Sequence, residues 1–392
     1  MEPEIPTSAA GVRLDSSSPA ANNSSVPESP SPSSERPHPD TLAWLFIGDH
    51  GLRAGTSVVI FAALLYFFVY LFGTILGFVV EEALHLNLSS RSAGAMVLGE
   101  LPWVAALLAA GTIVALFEGR RLTDFNLNGP RSLARFFSGL ITGFLALSAL
   151  VIVLAWGGWL HIGPVALSGI AIAKYGAAWA LCFLLVGLTE EGTFRCYLQF
   201  TFTRGINFGW ALATVGSLCL YLVMTAKGHG VWGIYAFALL GLVPCLWLHL
   251  TKVPGGGFWY AAWASSTAFG FVHTFNDGEN WIGIFAAAAI GFVFCVSVRV
   301  TGSAWWAIGC HSAWDWAETY FYGTADSGFL APGHYLSARP SGNVLLSGGS
   351  DGPEGSLLVV PIILLLLLTV LAIYGRRKTA VEDSVAPTPK MV

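Results

Sequence analysis

From about residue 57 to residue 376 the chain is a succession of long apolar runs separated by short polar breaks. A helix needs about twenty residues to cross about 30 Å of hydrocarbon. Ten stretches meet that length, near 57-80, 93-117, 136-160, 175-200, 208-226, 231-250, 257-275, 281-299, 303-321 and 356-375. The pattern predicts an all-α, polytopic membrane helix bundle with about eight to ten transmembrane helices. The loop 118-135 carries Arg120, Arg121, Arg131 and Arg135, and the last run is followed at once by Arg376, Arg377 and Lys378. Basic clusters of this kind stay on the cytoplasmic side. Ten spans then put both termini inside, with Arg204, Lys252 and Arg299 on the same face, whereas a re-entrant 231-250 or 257-275 would break that parity.

Composition agrees with the pattern: 55% of residues are hydrophobic and 11% charged, against about a quarter charged in globular proteins. A soluble core could not hide that much apolar surface. The net charge of -4 is spread out, and no basic patch is interleaved with aromatics, so nucleic acid is excluded as a partner and the lipid bilayer is the expected one. The six cysteines sit in or beside apolar runs without C-x-x-C spacing, as small hydrophobes do.

Inside these runs stand three polar fragments: Glu190-Glu191-x-x-x-Arg195, Phe269-x-x-x-His273 and His311-x-x-x-Asp315. An ionisable group at bilayer depth costs several kcal/mol unless it is paired or faces a wet cavity, so six of them require a use. Glu191 and Arg195 are four apart and share a helical face, while Glu190 is turned away by about 100°. One carboxylate is therefore positioned to be paired and the other to stay free as a base. Phe269 packs one turn from His273, and Asp315 stands one turn from His311, where it can orient the imidazole. A lone Glu-Arg pair more often marks a helix end snorkelling to water. Glu81-Glu82 is also a Glu pair after an apolar run, but Leu86 stands where an Arg would be needed, and the pair reads as an ordinary helix terminus. Two histidines, a Glu pair with its Arg, and an Asp on three runs are instead the ingredients for holding and polarising a water.

Together the fragments resemble the signature of the CPBP intramembrane proteases, which include the type II CAAX prenyl endopeptidases and bacterial relatives linked to bacteriocin immunity. That signature is E-E-x-x-x-R, F-x-x-x-H and H-x-x-x-N/D, in this order. The resemblance covers about 170-320 of the sequence. It implies that Glu190 and His273 activate water, that His311 and Asp315 stabilise the oxyanion or complete the polar cluster, and that Glu191 with Arg195 supports the base. The family is described both as glutamate-type and as metal-dependent. Were a divalent metal such as zinc bound, Glu190, His273 and His311 are its candidate ligands; the alternative is no cofactor. Two departures stand out: residues 196-268 form a longer separation between the first two motifs than is usual, and Asp315 replaces the commoner Asn.

The resulting organisation is a Ser/Pro-rich disordered cytoplasmic tail over 1-42, N-terminal transmembrane helices over 43-165, a CPBP-like catalytic membrane domain over 166-321, a Gly/Ser-rich connector over 322-355, a final transmembrane helix over 356-378 and a cytoplasmic tail over 379-392. The expected protein is an integral, multi-pass endopeptidase, in the plasma membrane if bacterial, acting on a membrane-associated peptide or protein, prenylated CAAX peptides included. An ion- or proton-coupled transporter, or a non-catalytic scaffold or immunity protein, is the alternative. One difficulty is depth. Glu190 falls near the middle of 175-200 and His273 near the outer end of 257-275, so they can share a water only if a helix is broken or displaced. Gly255-Gly256-Gly257 and Asp277-Gly278-Glu279-Asn280 permit this, and bring Asn276 into question as a lining residue.

Overall fold

The computed structural model describes residues 47-48, 51-83, 92-225 and 231-375. The expected tails 1-42 and 379-392 and the basic cluster 376-378 lie outside the described residues. Every apolar run is a helix: α1 Ala54–Phe78, α2 Ala93–Phe117, α3 Ser132–Trp156, α4 Ile170–Glu191, α5 Phe208–Thr225, α6 Val231–Thr251, α7 Gly256–Val272, α8 Trp281–Thr301, α9 Trp305–Trp316 and α10 Val359–Val370. Seven helices, 54-81, 93-117, 132-156, 170-205, 208-225, 232-251 and 281-301, are long and apolar enough to cross a membrane. The other three are shorter, and π-helical turns over Ala317–Tyr322 and Leu371–Gly375 prolong α9 and α10. The chain is an all-α polytopic membrane bundle, with large apolar side chains such as Tyr70, Phe117, Trp156 and Met224 facing outward, as lipid demands.

The depth difficulty disappears once the true lengths of α4 and α7 are known. Helix α4 continues without a break through a π-helical stretch, Gly192–Leu198, and a last α-helical stretch, Gln199–Gly205, to make one rod of 36 residues. Against its second half α7 runs antiparallel: a Cβ on Gly257 would meet the Thr203 carbonyl oxygen at 3.1 Å, and the Ser265 hydroxyl donates to the Phe194 carbonyl at 2.9 Å. Glu190 lies before Phe194 on α4 and His273 follows Ser265 on α7, so both stand beyond this contact in the same direction, and both line one cavity. Helix α7 also stops at Val272, and His273–Phe275 forms a 3-10 turn that faces the same space.

Helix α9, bearing His311 and Asp315, crosses α3 backbone to backbone. Cβ atoms on Gly139, Gly143 and Gly309 would collide with the carbonyls of Trp306, Cys310 and Phe136 respectively. Small residues four apart allow this approach in membranes, where association rests on packing rather than on expulsion of water. Around the crossing, Leu147, Leu150, Leu154, Phe294, Trp306 and Leu366 make a core shared by α3, α8, α9 and α10.

The 322-355 stretch, read from sequence as a connector, is folded onto the bundle. Two short antiparallel pairs are present, β1 (Ile47–Gly48) with β2 (Gly51–Leu52), and β3 (Leu160–Val165) with β4 (Leu336–Pro340). In the second, Leu160 faces Pro340 and Ile162 faces Ala338 before a bulge, which sews the stretch to the end of α3. The Gly328 amide donates to the Asp351 carbonyl at 2.9 Å. Gly352 has φ 115° and lies on the Ala325 carbonyl, a position only glycine takes without strain. Glycine here specifies turns rather than looseness.

Gly143→Ala is expected to lower stability by about 1–3 kcal/mol, read as a lower Tm of detergent-solubilised protein, because α3 and α9 must move apart. An unchanged Tm would contradict the close crossing.

Candidate active site

Glu191 is the centre of the polar cluster. It has no exposure, and its two oxygens hold different partners: Oε2 lies 3.1 Å from Arg195 Nε, and Oε1 accepts from His311 Nδ1 at 2.9 Å. Arg195 is equally buried, and its guanidinium carbon lies 4.1 Å from the centroid of the Phe269 ring, 5.4 Å from Phe294 and 5.8 Å from Phe194. Ring faces supply part of what water would otherwise give a cation. Space for the guanidinium depends on Gly291, where a Cβ would stand 2.5 Å from Nη2. The π-helical turn begins directly after Glu191, a local unwinding common at functional positions.

His311 sits among three carboxylates. Besides Glu191, its Nε2 is 3.3 Å from Asp315 Oδ2 and 3.8 Å from Glu190 Oε2, and its ring stacks on Phe294 at 5.8 Å. His273 is held differently, with Nδ1 2.8 Å from the Phe269 carbonyl and its ring 4.7 Å from the Phe269 ring. A carbonyl only accepts, so Nδ1 carries the hydrogen and Nε2 is left as the open nitrogen. Glu190, Phe269, His273, Phe294, His311 and Asp315 line a cavity of about 160 Å³, together with Asn276, Phe183, Val186, Trp314 and Ser327. Glu191 and Arg195 lie behind it and position His311. The six candidate residues of the sequence are therefore one constellation, divided between a cavity wall and a buried support.

Several carboxylates reach this region without any motif to announce them. Asp326 and Glu354, from the 322-355 stretch, line the cavity. Thr319 Oγ1 donates to Asp326 Oδ2 at 2.9 Å, and Trp314 Nε1 donates to Glu354 Oε1 at 2.6 Å. Burial pushes the Asp326 carboxyl up to about 6, and burial with the nearby Asp326 charge raises Glu354 well above the carboxylate range. Glu318 is fully buried at the end of α9. Its spacing from His311 and Asp315, on the i, i+4, i+7 face, is a signal that the sequence did hold. Glu100, on α2, is a further acidic group within electrostatic range of Glu190.

Metal ligation by Glu190, His273 and His311 would need their ligand atoms to converge. As placed they do not gather into such a set. Among the described residues the atoms that do, within 4.8 Å of one another, are those of Glu318, Asp326 and Glu354.

Fold and site together define a polytopic membrane protein with a small polar chamber walled by its helices and the 322-355 stretch. Residues 244–317 match the family model described as type II CAAX prenyl endopeptidase, Rce1-like, which is consistent with the CPBP family of intramembrane proteases, a family of membrane endopeptidases. The matched stretch contains Phe269, His273, His311 and Asp315; Glu190, Glu191 and Arg195 precede it. No curated protein and no solved structure matches the chain.

Glu191→Ala leaves the Arg195 cation buried and unpaired, for an expected loss of about 3–5 kcal/mol in unfolding experiments. The double variant Glu191→Ala with Arg195→Met should recover part of it; a double variant no more stable than the single one contradicts the pairing. A second prediction concerns Glu279 and Asp351, which burial raises to about 7 each, with Asp351 adding to the effect on Glu279. Both lie above their unfolded values, so between about pH 4 and pH 7 the folded protein holds more protons and stability falls as pH rises. Hydrogen exchange at 324-329 and 349-352, corrected for intrinsic rates, should show more protection at about pH 5 than at about pH 8, and Glu279→Gln should flatten the difference. Equal protection at both values would contradict it.

Proposed function

We propose that the protein is an endopeptidase that hydrolyses peptide bonds of membrane-associated substrates by direct attack of water activated by Glu190 and His273. Membrane-attached peptides, with prenylated CAAX C-termini as the family-level class, are the proposed substrates. The observation that carries the reading is that Glu190, His273, His311 and Asp315 line one cavity, with His273 held through Nδ1 so that Nε2 stays open. In this scheme Glu190 takes a proton from the water as its oxygen bonds to the scissile carbonyl carbon. The charge developing on the carbonyl oxygen is met by His311, whose Nε2–H can donate when the ring is protonated. Glu191 holds that ring at Nδ1, while Asp315, 3.3 Å from Nε2 in the resting site, yields this hydrogen to the oxyanion. Glu190 then returns the proton to the departing amide nitrogen, and the peptide bond breaks. No acyl-enzyme forms, and no cysteine of the chain stands in the cavity wall.

The cavity is small for the task, since sites that enclose drug-sized ligands run from about 300 Å³ upward. It accommodates water and a single peptide link. A longer substrate enters by displacing wall elements, of which the Asp326–Phe329 turn, closed by two backbone hydrogen bonds, lies outside the membrane helices. Both termini and the loop 118-135 are placed on the cytoplasmic side in this reading, following the basic clusters.

Glu190→Gln and His273→Ala are each expected to cut cleavage of a membrane-peptide library about a hundredfold or more while leaving the size-exclusion profile unchanged. Retained cleavage in either variant contradicts the assignment. A wild-type protein that drives pH-dependent flux in vesicles and cleaves nothing would make the cluster a transport site instead.

A further inference from the structure

We propose that Glu318, Asp326 and Glu354 form a binding site for one hard divalent cation, which ties the 322-355 stretch to the end of α9. The three carboxylates come from three places: the π-helical turn that ends α9, the turn before β4, and the short 3-10 turn Pro353–Gly355. Their ligand atoms lie within 4.8 Å of one another. Oxygens on opposite sides of a calcium ion, each bonded at about 2.4 Å, are separated by about that distance.

The second observation is the state of Glu318. Its side chain has no exposure, and neither carboxylate oxygen has a hydrogen-bond partner. A group this buried and this unsatisfied is costly unless something else compensates it. The charged groups acting on it are themselves carboxylates: Glu354, Asp326, Asp315 and Asp351. A cation is the missing counterpart. Space beside Glu318 is kept open by Gly352, where a Cβ would stand 3.2 Å from Oε1. The other two carboxylates are held in place by donors, Asp326 by the Thr319 hydroxyl and Glu354 by the Trp314 indole. An all-oxygen set without imidazole or thiolate suits calcium, magnesium or manganese rather than zinc, and the separation fits the larger ions. Three carboxylates offer up to six oxygens, and water completes the shell.

The consequence is structural coupling. Asp326 and Glu354 also form part of the cavity wall, so an ion on them fixes that wall to α9, and its removal leaves a charged seam beside the chamber. The competing account is that the three carboxylates hold protons and bind no ion.

The test uses the purified full chain in detergent, stripped with chelator, and binding as its readout, so it succeeds or fails independently of peptide hydrolysis. Electron paramagnetic resonance should show one saturable Mn²⁺ per chain that Ca²⁺ displaces, and Glu318→Gln and Asp326→Asn should each abolish it. In chelator, Glu318→Gln should unfold at or above the wild-type temperature, because the amide replaces a buried carboxyl left without a partner. With millimolar Ca²⁺ the wild type should rise above the variant. No saturable binding to wild type, or a wild-type Tm that Ca²⁺ does not move, overturns the site. So does Mn²⁺ binding that survives in both variants and is lost in His273→Ala, which would assign the ion to the cavity histidine.

Discussion

The two-sided engagement of Glu191 is what the rest of the site depends on. One oxygen neutralises Arg195, a cation with no access to water, and the other fixes His311 through Nδ1. Each link justifies the burial of the other: without Arg195 the carboxylate is an uncompensated charge, and without Glu191 the imidazole loses the contact that aims Nε2 at Asp315 and Glu190. Such an arrangement adds little net stability over an apolar core, because desolvation offsets most of the attraction. Its value lies in holding a side chain to one orientation.

That rigidity would be wasted if the helices themselves could slide. Close crossing of α3 and α9 at Gly139, Gly143 and Gly309 fixes where His311 stands, and the antiparallel run of α7 along α4 brings His273 to the same cavity as Glu190. The chamber thus has stiff walls on the helix side. Its remaining wall is the 322-355 stretch, bonded through turns, one strand pair and a set of buried carboxylates. Such a wall is the part that can respond to protons, ions or substrate.

Much of this was legible in the sequence, for reasons that are physical. Apolar runs announce helices in a bilayer because nothing else satisfies the backbone there. The spacing of Glu191 and Arg195 announces a shared face, and the cost of six ionisable groups announces a common site. What could not be read is equally instructive. Apolar composition does not mark where α4 ends, since the rod continues through Arg204, and the wrong end put Glu190 and His273 at different heights. Glycine in 322-355 was read as freedom, whereas Gly328 and Gly352 set turns that carry Asp326 and Glu354 into the chamber. Long-range pairing such as β3 with β4 leaves no local spacing to find. Glu318 was within reach, being three residues beyond Asp315 on the same face.

The central claim is that a water held by Glu190 and His273 attacks the substrate directly. Single-turnover cleavage of a membrane peptide in ¹⁸O-labelled water with added hydroxylamine, followed by mass spectrometry, tests it. The account predicts a new carboxylate with one solvent oxygen, no hydroxamate and no mass added to the protein. A hydroxamate product or a covalent peptidyl-protein adduct would contradict it.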